Sequence, residues 1–155
     1  MRVAAVVARG PVRDRILSDR GAESMYVSDV LQAAALDVVT QRGWHAHLRH
    51  LGRQLRARRD LLVESLAEHV PDAQLDHVPR GGLHLWVRLP EGTDAERLTR
   101  DCEAEGVLIA PGTEWFPAEP AGAYVRLNYS GPAPERFPDG ARVIAAALAR
   151  QAGAV

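Results

Sequence analysis

The sequence predicts an α/β chain whose larger part is an α+β unit, and three observations carry that prediction. The first is the order of elements: an apolar strand, three helices, then strands mixed with two helices. The second is a pair of cleanly alternating segments, 83–89 and 123–129, which have the period of half-buried strands. The third is a composition break near Gly43-Trp44, which predicts two unequal parts, 1–43 and 44–155.

Taken in order, Val3–Ala8 is a continuous apolar run between Arg2 and Gly10-Pro11, the pattern of a strand buried on both faces. A helix with Val12, Ile16 and Leu17 apolar follows Gly10-Pro11. Ser28 to Thr40 is a second helix, with Ser28 its candidate N-cap and Gly43 its stop; Val30, Leu31, Ala34 and Val38 share a face. Trp44 to Val70 is the longest helix, stopped by Pro71. Its apolar stripe is Leu48, Leu51, Leu55, Leu62 and Leu66, while Arg49, Arg53 and Arg56 line another face.

In the first alternating strand Leu83, Leu85, Val87 and Leu89 alternate with His84, Trp86 and Arg88. Thr93 and Glu96 have the spacing of a capping box for a helix that ends at Gly106. Val107–Ala110 reads as a short strand closed by Pro111-Gly112. In the next, Ala123, Val125, Leu127 and Tyr129 alternate with Tyr124, Arg126 and Asn128. A last helix from near Glu135 places Phe137, Ala141, Ile144 and Leu148 together, with Pro138 tolerated in its first turn.

Composition excludes several function classes. Of 155 residues, 46% are hydrophobic and 25% charged, enough apolar content for a core. A net charge of -1 argues against a strongly basic nucleic-acid binder and against an acidic tail. The longest apolar run is far short of the roughly 18 residues that cross a bilayer, and no signal-peptide pattern is seen. With one cysteine, Cys102, no intramolecular disulfide can form, so a cytoplasmic protein is expected. All 19 basic residues are arginine. The chain therefore has no side-chain primary amine and cannot form an internal Schiff base through lysine.

Few residues are candidates for chemistry. Arg126 sits mid-strand, pointing away from Val125 and Leu127, and a guanidinium there needs an anion or water. It is read either as a bidentate carboxylate clamp or as a structural ion pair. Gly81-Gly82 before the first alternating strand is a plain turn or a place for close backbone approach to a ligand. His47 and His50 are spaced to share a metal, but no Cys or carboxylate completes the set, and no metal site is expected. Cys102 is expected to be a packed thiol. The Arg49, Arg53 and Arg56 row reads as a solvated helix face, so no direct nucleic-acid contact is expected.

Gly-Gly-Leu-His-Leu-Trp at 81–86, Gly106-Val107 followed by Pro111-Gly112 and Phe116, and Arg126-Leu127-Asn128-Tyr129-Ser130 followed by Pro134-Glu135-Arg136 occur in a specific order. In these motifs the chain resembles the C-terminal part of fold-type I, pyridoxal-phosphate-dependent class I/II aminotransferases. It is most similar to the 2-aminoadipate aminotransferase-like branch and the aminotransferase domain of MocR-type regulators. The resemblance runs from Arg2 to about Arg150. It implies an aminotransferase small C-terminal domain at 44–155 and a remnant of the large cofactor-binding domain at 1–43.

The resemblance assigns the substrate carboxylate to Arg126 and the cofactor phosphate to Arg2. Arg2-Val3-Ala4-Ala5 departs from the family's Arg-x-Gly-aromatic pattern. Ser28 and Gln32 match a helix start near the subunit interface, so a homodimer is implied. His84 stands where many relatives carry Phe and receives no role. The complete enzyme would use pyridoxal phosphate to move an amino group from an amino acid to a 2-oxo acid. In this family the Schiff-base lysine lies a few residues before the phosphate arginine, which places it ahead of Met1. No catalytic residue is then expected within the chain, and it is expected to be inactive alone. The alternatives are a non-catalytic interaction or dimerisation module, or the effector domain of a MocR-type DNA-binding regulator.

Overall fold

A computed structural model of the chain describes residues 6–23, 28–119 and 121–153. The architecture is mixed α/β, as the sequence predicts, with a three-stranded sheet. The chain divides into two compact units, Met1–Arg49 and His50–Val155.

In the first unit, α1 (Gly10–Glu23) opens on Gly10 at φ +60, followed by Pro11, whose missing N–H costs nothing in a first helical turn. Helix α2 spans Asp29–Thr40. Ser28 does hold the N-cap position, but through its backbone: its carbonyl accepts from the Gln32 N–H at 3.0 Å and its hydroxyl caps nothing. Gly43 is not the stop. Gln41 turns extended, with ψ 143, and ends the helix two residues earlier. No residue of α2 is buried.

The strand expected over Val3–Ala8 falls partly outside the described residues, as does Arg2. Its described part, Val6 to Ala8, is not in a strand, and Val6 and Val7 are 72% and 93% exposed. A doubly buried strand needs a neighbour on each side, and none of the described residues pairs with it.

Helix α3 (Trp44–His69) runs from the first unit into the second. It ends one residue earlier than expected, because the ring of Pro71 disfavours helical geometry at Val70. Only the later part of its leucine stripe is buried: Leu62 and Leu66 lie in the core, whereas Leu48 and Leu51 are exposed.

The sheet of the second unit consists of β1 (His84–Arg88), β2 (Ala110–Pro111) and β3 (Tyr124–Asn128), in the order β1-β3-β2 and antiparallel throughout. The strand expected at Val107–Ala110 thus shrinks and shifts to Ala110–Pro111. Proline is tolerated there because β2 is an edge strand, with β3 on one side only. The register puts Leu85 opposite Leu127, Trp86 opposite Arg126 and Val87 opposite Val125.

Alternation sends Leu85, Val87, Val125 and Leu127 to one face. They form a single core with Leu62 and Leu66 of α3, Leu98 and Cys102 of α4 (Ala95–Ala104), and Ala141, Ile144 and Ala147 of α5 (Phe137–Ala152). Burying a side chain such as Leu85 or Leu98 contributes about 1.5–3 kcal/mol. All three helices contribute to the core on this face.

Helix α4 corrects one cap and bears out another. Its N-cap is Asp94, whose carboxylate accepts from the Arg97 N–H at 2.9 Å. Thr93 instead donates its hydroxyl to the Pro90 carbonyl, and Glu96 accepts from the Thr113 hydroxyl. At the other end Gly106 adopts φ +79, with Gly106 N–H bonded to Glu103 O and Val107 N–H to Cys102 O, both at 2.9 Å. That pair of bonds is a Schellman cap, and it requires the left-handed residue that glycine supplies. Pro138 lies in the first turn of α5, as expected.

Candidate functional site

The face of the sheet turned away from the core carries His84, Trp86 and Arg88 from β1 and Tyr124, Arg126 and Asn128 from β3. Trp86 stacks on Tyr124, with ring centroids 5.4 Å apart and planes 17° apart. Phe116 meets both at 5.5 Å, edge-on to Tyr124. The chain can bring Phe116 there because Gly112 has no side chain. A Cβ on Gly112 would lie 2.8 Å from the Tyr124 Cβ, 2.9 Å from the Trp86 ring and 2.9 Å from the Tyr124 carbonyl. The Gly112 N–H also donates to that carbonyl at 2.7 Å.

Arg126 is at the centre of this face, with Trp86 opposite it on β1 and Ala110 opposite it on β2. It is half-buried. Its Cζ sits over the ring of Trp115, 4.0 Å from the centroid. Trp115 comes from a 3₁₀ turn, Thr113–Trp115, and is 54% exposed. A ring stabilises a cation through its π face without accepting the in-plane N–H donors in the way a carboxylate does. Among the described residues Arg126 has no ion pair and no hydrogen bond. The structural ion pair considered from sequence is therefore not formed among them, and the guanidinium has donors available for an anion.

His84 lies on the same face. Its pKa is lowered from the ordinary 6.5, first by burial and then by the Arg126 charge.

Two arginines that sequence reasoning passed over hold the end of the sheet nearest His84. Arg58 of α3 donates through Nη1 to the carbonyls of Ser130 at 3.0 Å and Gly131 at 2.9 Å, in the loop after β3. Arg59 donates to the Pro79 carbonyl at 2.7 Å, in the loop before β1. Because β1 and β3 are antiparallel, both loops lie at one end, and adjacent residues of one helix hold both. The available signal was the arginine pair Arg58-Arg59 displaced from the solvated Arg49, Arg53 and Arg56 row, ahead of the Leu62 and Leu66 stripe.

The segment from Arg126 to Ser130 divides its roles by position. Leu127 and Tyr129 go to the core, and burial is the main reason the Tyr129 hydroxyl's pKa is raised. Asn128 accepts from the Ser130 N–H and hydroxyl, both at 2.8 Å, and so turns the chain as an Asx motif. Gly81-Gly82 forms the turn into β1. Gly82 adopts φ +100, a conformation L side chains rarely take.

Other candidates are placed elsewhere. Cys102 is fully buried, and burial is the main cause that pushes its thiol up to about 11. His47 stacks on Trp44 and His50 meets the Gln54 side chain at 3.0 Å. Among the described residues no cluster of three His, Cys, Asp or Glu side chains could hold a metal, and no helix is long and apolar enough to cross a membrane. Arg2 is outside the described residues.

No family model matches the sequence. An uncharacterized HTH-type transcriptional regulator of Bacillus subtilis, YdfD, is 28% identical over 131 residues, covering 84% of this chain and 27% of the regulator. The 2-aminoadipate transaminase of Thermus thermophilus is 25% identical over 148 residues, covering 96% of this chain and 37% of that enzyme. The crystal structure of the Thermus thermophilus α-aminoadipate aminotransferase LysN, complexed with N-(5'-phosphopyridoxyl)-L-leucine, has the same fold over 93% of this chain and 36% of its own, with a TM-score of 0.75 at 23% identity. The chain spans about a fifth to just over a third of the length of the curated relatives it matches. The residues of this chain do not by themselves complete a pyridoxal phosphate site, because the chain has no lysine to bond the cofactor's aldehyde.

Proposed function

We propose that this chain, a partial, C-terminal-like segment whose homologues are pyridoxal-phosphate-dependent aminotransferases and MocR-type regulators with aminotransferase domains, holds the carboxylate of an amino acid or 2-oxo acid through Arg126. The observation that carries the proposal is the Arg126 guanidinium over Trp115, with no acid among the described residues to answer its charge. A guanidinium presents two parallel N–H donors to a carboxylate, and a partly desolvated site strengthens that contact. Trp86, Tyr124 and Phe116 form an apolar floor beside it. In this reading residues 44–155 are the small domain of an aminotransferase-like protein and 1–43 a remnant of its large domain. The complete protein binds pyridoxal phosphate, with Arg2 at its phosphate, and pairs as a homodimer in the cytoplasm.

This chain contributes substrate orientation and no proton-moving amine, so by itself it is inactive in transamination. Mixed with pyridoxal phosphate and an amino acid, it is expected to give neither a shifted cofactor absorbance nor turnover; either signal overturns that part of the reading. Carboxylate binding is tested on the Arg126 Nε–Hε resonance, which a 2-oxo acid should move and an uncharged amide analogue should not. No movement with either would reject the clamp.

The similarity to the Bacillus regulator supports a second reading, the effector domain of a DNA-binding regulator. An in-frame winged helix-turn-helix encoded upstream would favour it, and a lysine-bearing enzyme segment without one would count against it.

A further inference from the structure

We propose that His84 is a second ligand-contacting residue of the sheet face that carries Arg126: together with Arg126 it holds a single carboxylate group, and its imidazolium is the form that binds. The inference rests on the reading of this face as a carboxylate site and goes beyond it by naming a second contact and its pH dependence.

The geometry is set by the register. Trp86 is opposite Arg126 and His84 is opposite Asn128, so His84 and Arg126 are diagonal neighbours on one face. Such diagonal positions are about 7–8 Å apart, within reach of long side chains. That spacing leaves room for one carboxylate between an imidazole and a guanidinium. Among the described residues neither side chain has a hydrogen bond or an ion pair. From β3 the groups facing His84 are the Arg126 cation and the Asn128 amide, whose oxygen is already engaged by Ser130. On β1 its same-face neighbour is Trp86. The carboxylate of Asp76 meets the Tyr124 hydroxyl at 3.4 Å, at the opposite end of β3. From the 3₁₀ turn over the face, Trp115 covers Arg126 and the Glu114 side chain is exposed.

Two basic groups side by side without an acid repel when both are charged. Burial first, and then the charge of Arg126, hold His84 below its ordinary value. At neutral pH the imidazole is therefore mostly uncharged. An anion placed between the two relieves the repulsion and offers the imidazolium a charge-assisted hydrogen bond. Binding one carboxylate then takes up one proton from solvent onto His84, and the carboxylate itself stays ionised. Linkage fixes the sign: a bound anion raises the His84 pKa, so affinity rises as pH falls through it.

The test uses the full 155-residue chain. Pyruvate is the probe, because its carboxyl stays ionised from about pH 5.5 to about pH 8. The imidazole resonance of His84 is assigned with a His84→Gln variant, and the Arg126 Nε–Hε resonance is followed in the same titrations. Thermal melting of the variant checks its fold. The expected result is an upward shift of the His84 titration midpoint with pyruvate and affinity roughly three- to tenfold higher at the lower pH. His84→Gln should bind with a flat pH dependence. If pyruvate moves Arg126 equally well at both pH values, or His84→Gln keeps the pH dependence, the role of His84 is overturned and the Arg126 site stands. If pyruvate moves Arg126 at neither pH, the carboxylate site itself is overturned, and His84's role with it.

Discussion

The Arg126 guanidinium lies over the Trp115 ring, 4.0 Å from Cζ to the ring centroid. The two residues come from different elements: Arg126 from the central strand and Trp115 from the turn after the edge strand. The ring partly answers the cation while its N–H donors remain available, and the expected behaviour of the site follows from that.

Replacing Arg126 with leucine removes the donors. Charge-assisted hydrogen bonds contribute about 1.5–3 kcal/mol, so carboxylate affinity is expected to fall by roughly 10- to 150-fold. Arg126→Lys should recover only a fraction, because an ammonium cannot bind bidentately. Calorimetric titration with a 2-oxo acid measures both, and wild-type affinity in either variant would reject the role.

Trp115→Ala removes the ring but not the donors. An exposed cation–π contact contributes about 0.5–1 kcal/mol, so the loss in carboxylate affinity should stay within roughly two- to fivefold. The melting temperature should barely change, since Trp115 lies outside the core. A loss as large as that of Arg126→Leu would mean that the ring does more than orient the guanidinium.

Gly112→Ala should destabilise the second unit by about 1–3 kcal/mol. The new methyl would meet Tyr124 backbone and the Trp86 ring inside 3.0 Å, and the backbone has little room to give. Thermal melting should show the drop. Gly131→Ala, where a Cβ meets nothing within 4 Å, is the control.

Arg58→Ala leaves the Ser130 and Gly131 carbonyls without their guanidinium donor, at a cost of about 1–3 kcal/mol. Amide exchange should quicken in the loop after β3 before it does in α5. Uniform quickening across the unit would argue that Arg58 holds no particular loop.

The Cys102 thiol is raised to about 11 from an ordinary 9.0, chiefly by burial. The folded state therefore keeps a proton that the unfolded chain gives up. That contribution is present below about 9 and is lost as pH rises toward about 11. Denaturant melts across that window should show the decline in the wild type and a weaker one in Cys102→Ala. A thiol reagent at neutral pH should react only as the chain unfolds.

The sequence was sufficient wherever local pattern and local chemistry agree. Alternation over 83–89 and 123–129 located β1 and β3 and put Arg126 on the face away from Leu127, because side-chain direction in a strand has a fixed period. Helical spacing and Pro71 located α3, and Gly106 marked the end of α4. Single-residue caps were less legible. Asp94 displaced Thr93, and Gln41 rather than Gly43 ended α2, since several nearby polar residues can satisfy one helix end.

Tertiary structure alone decided what surrounds Arg126. That Trp115 covers it, that His84 is its diagonal neighbour and that Gly112 admits the aromatic cluster depend on strand register and loop path, which join residues up to several tens of positions apart. The same holds for Arg58 and Arg59: their place beside the Arg49, Arg53 and Arg56 row says nothing of the two loops whose carbonyls they hold. Sequence periodicity sets the direction of a side chain along its own element, whereas its neighbours are set by the pairing of elements, and pairing is a property of the folded chain.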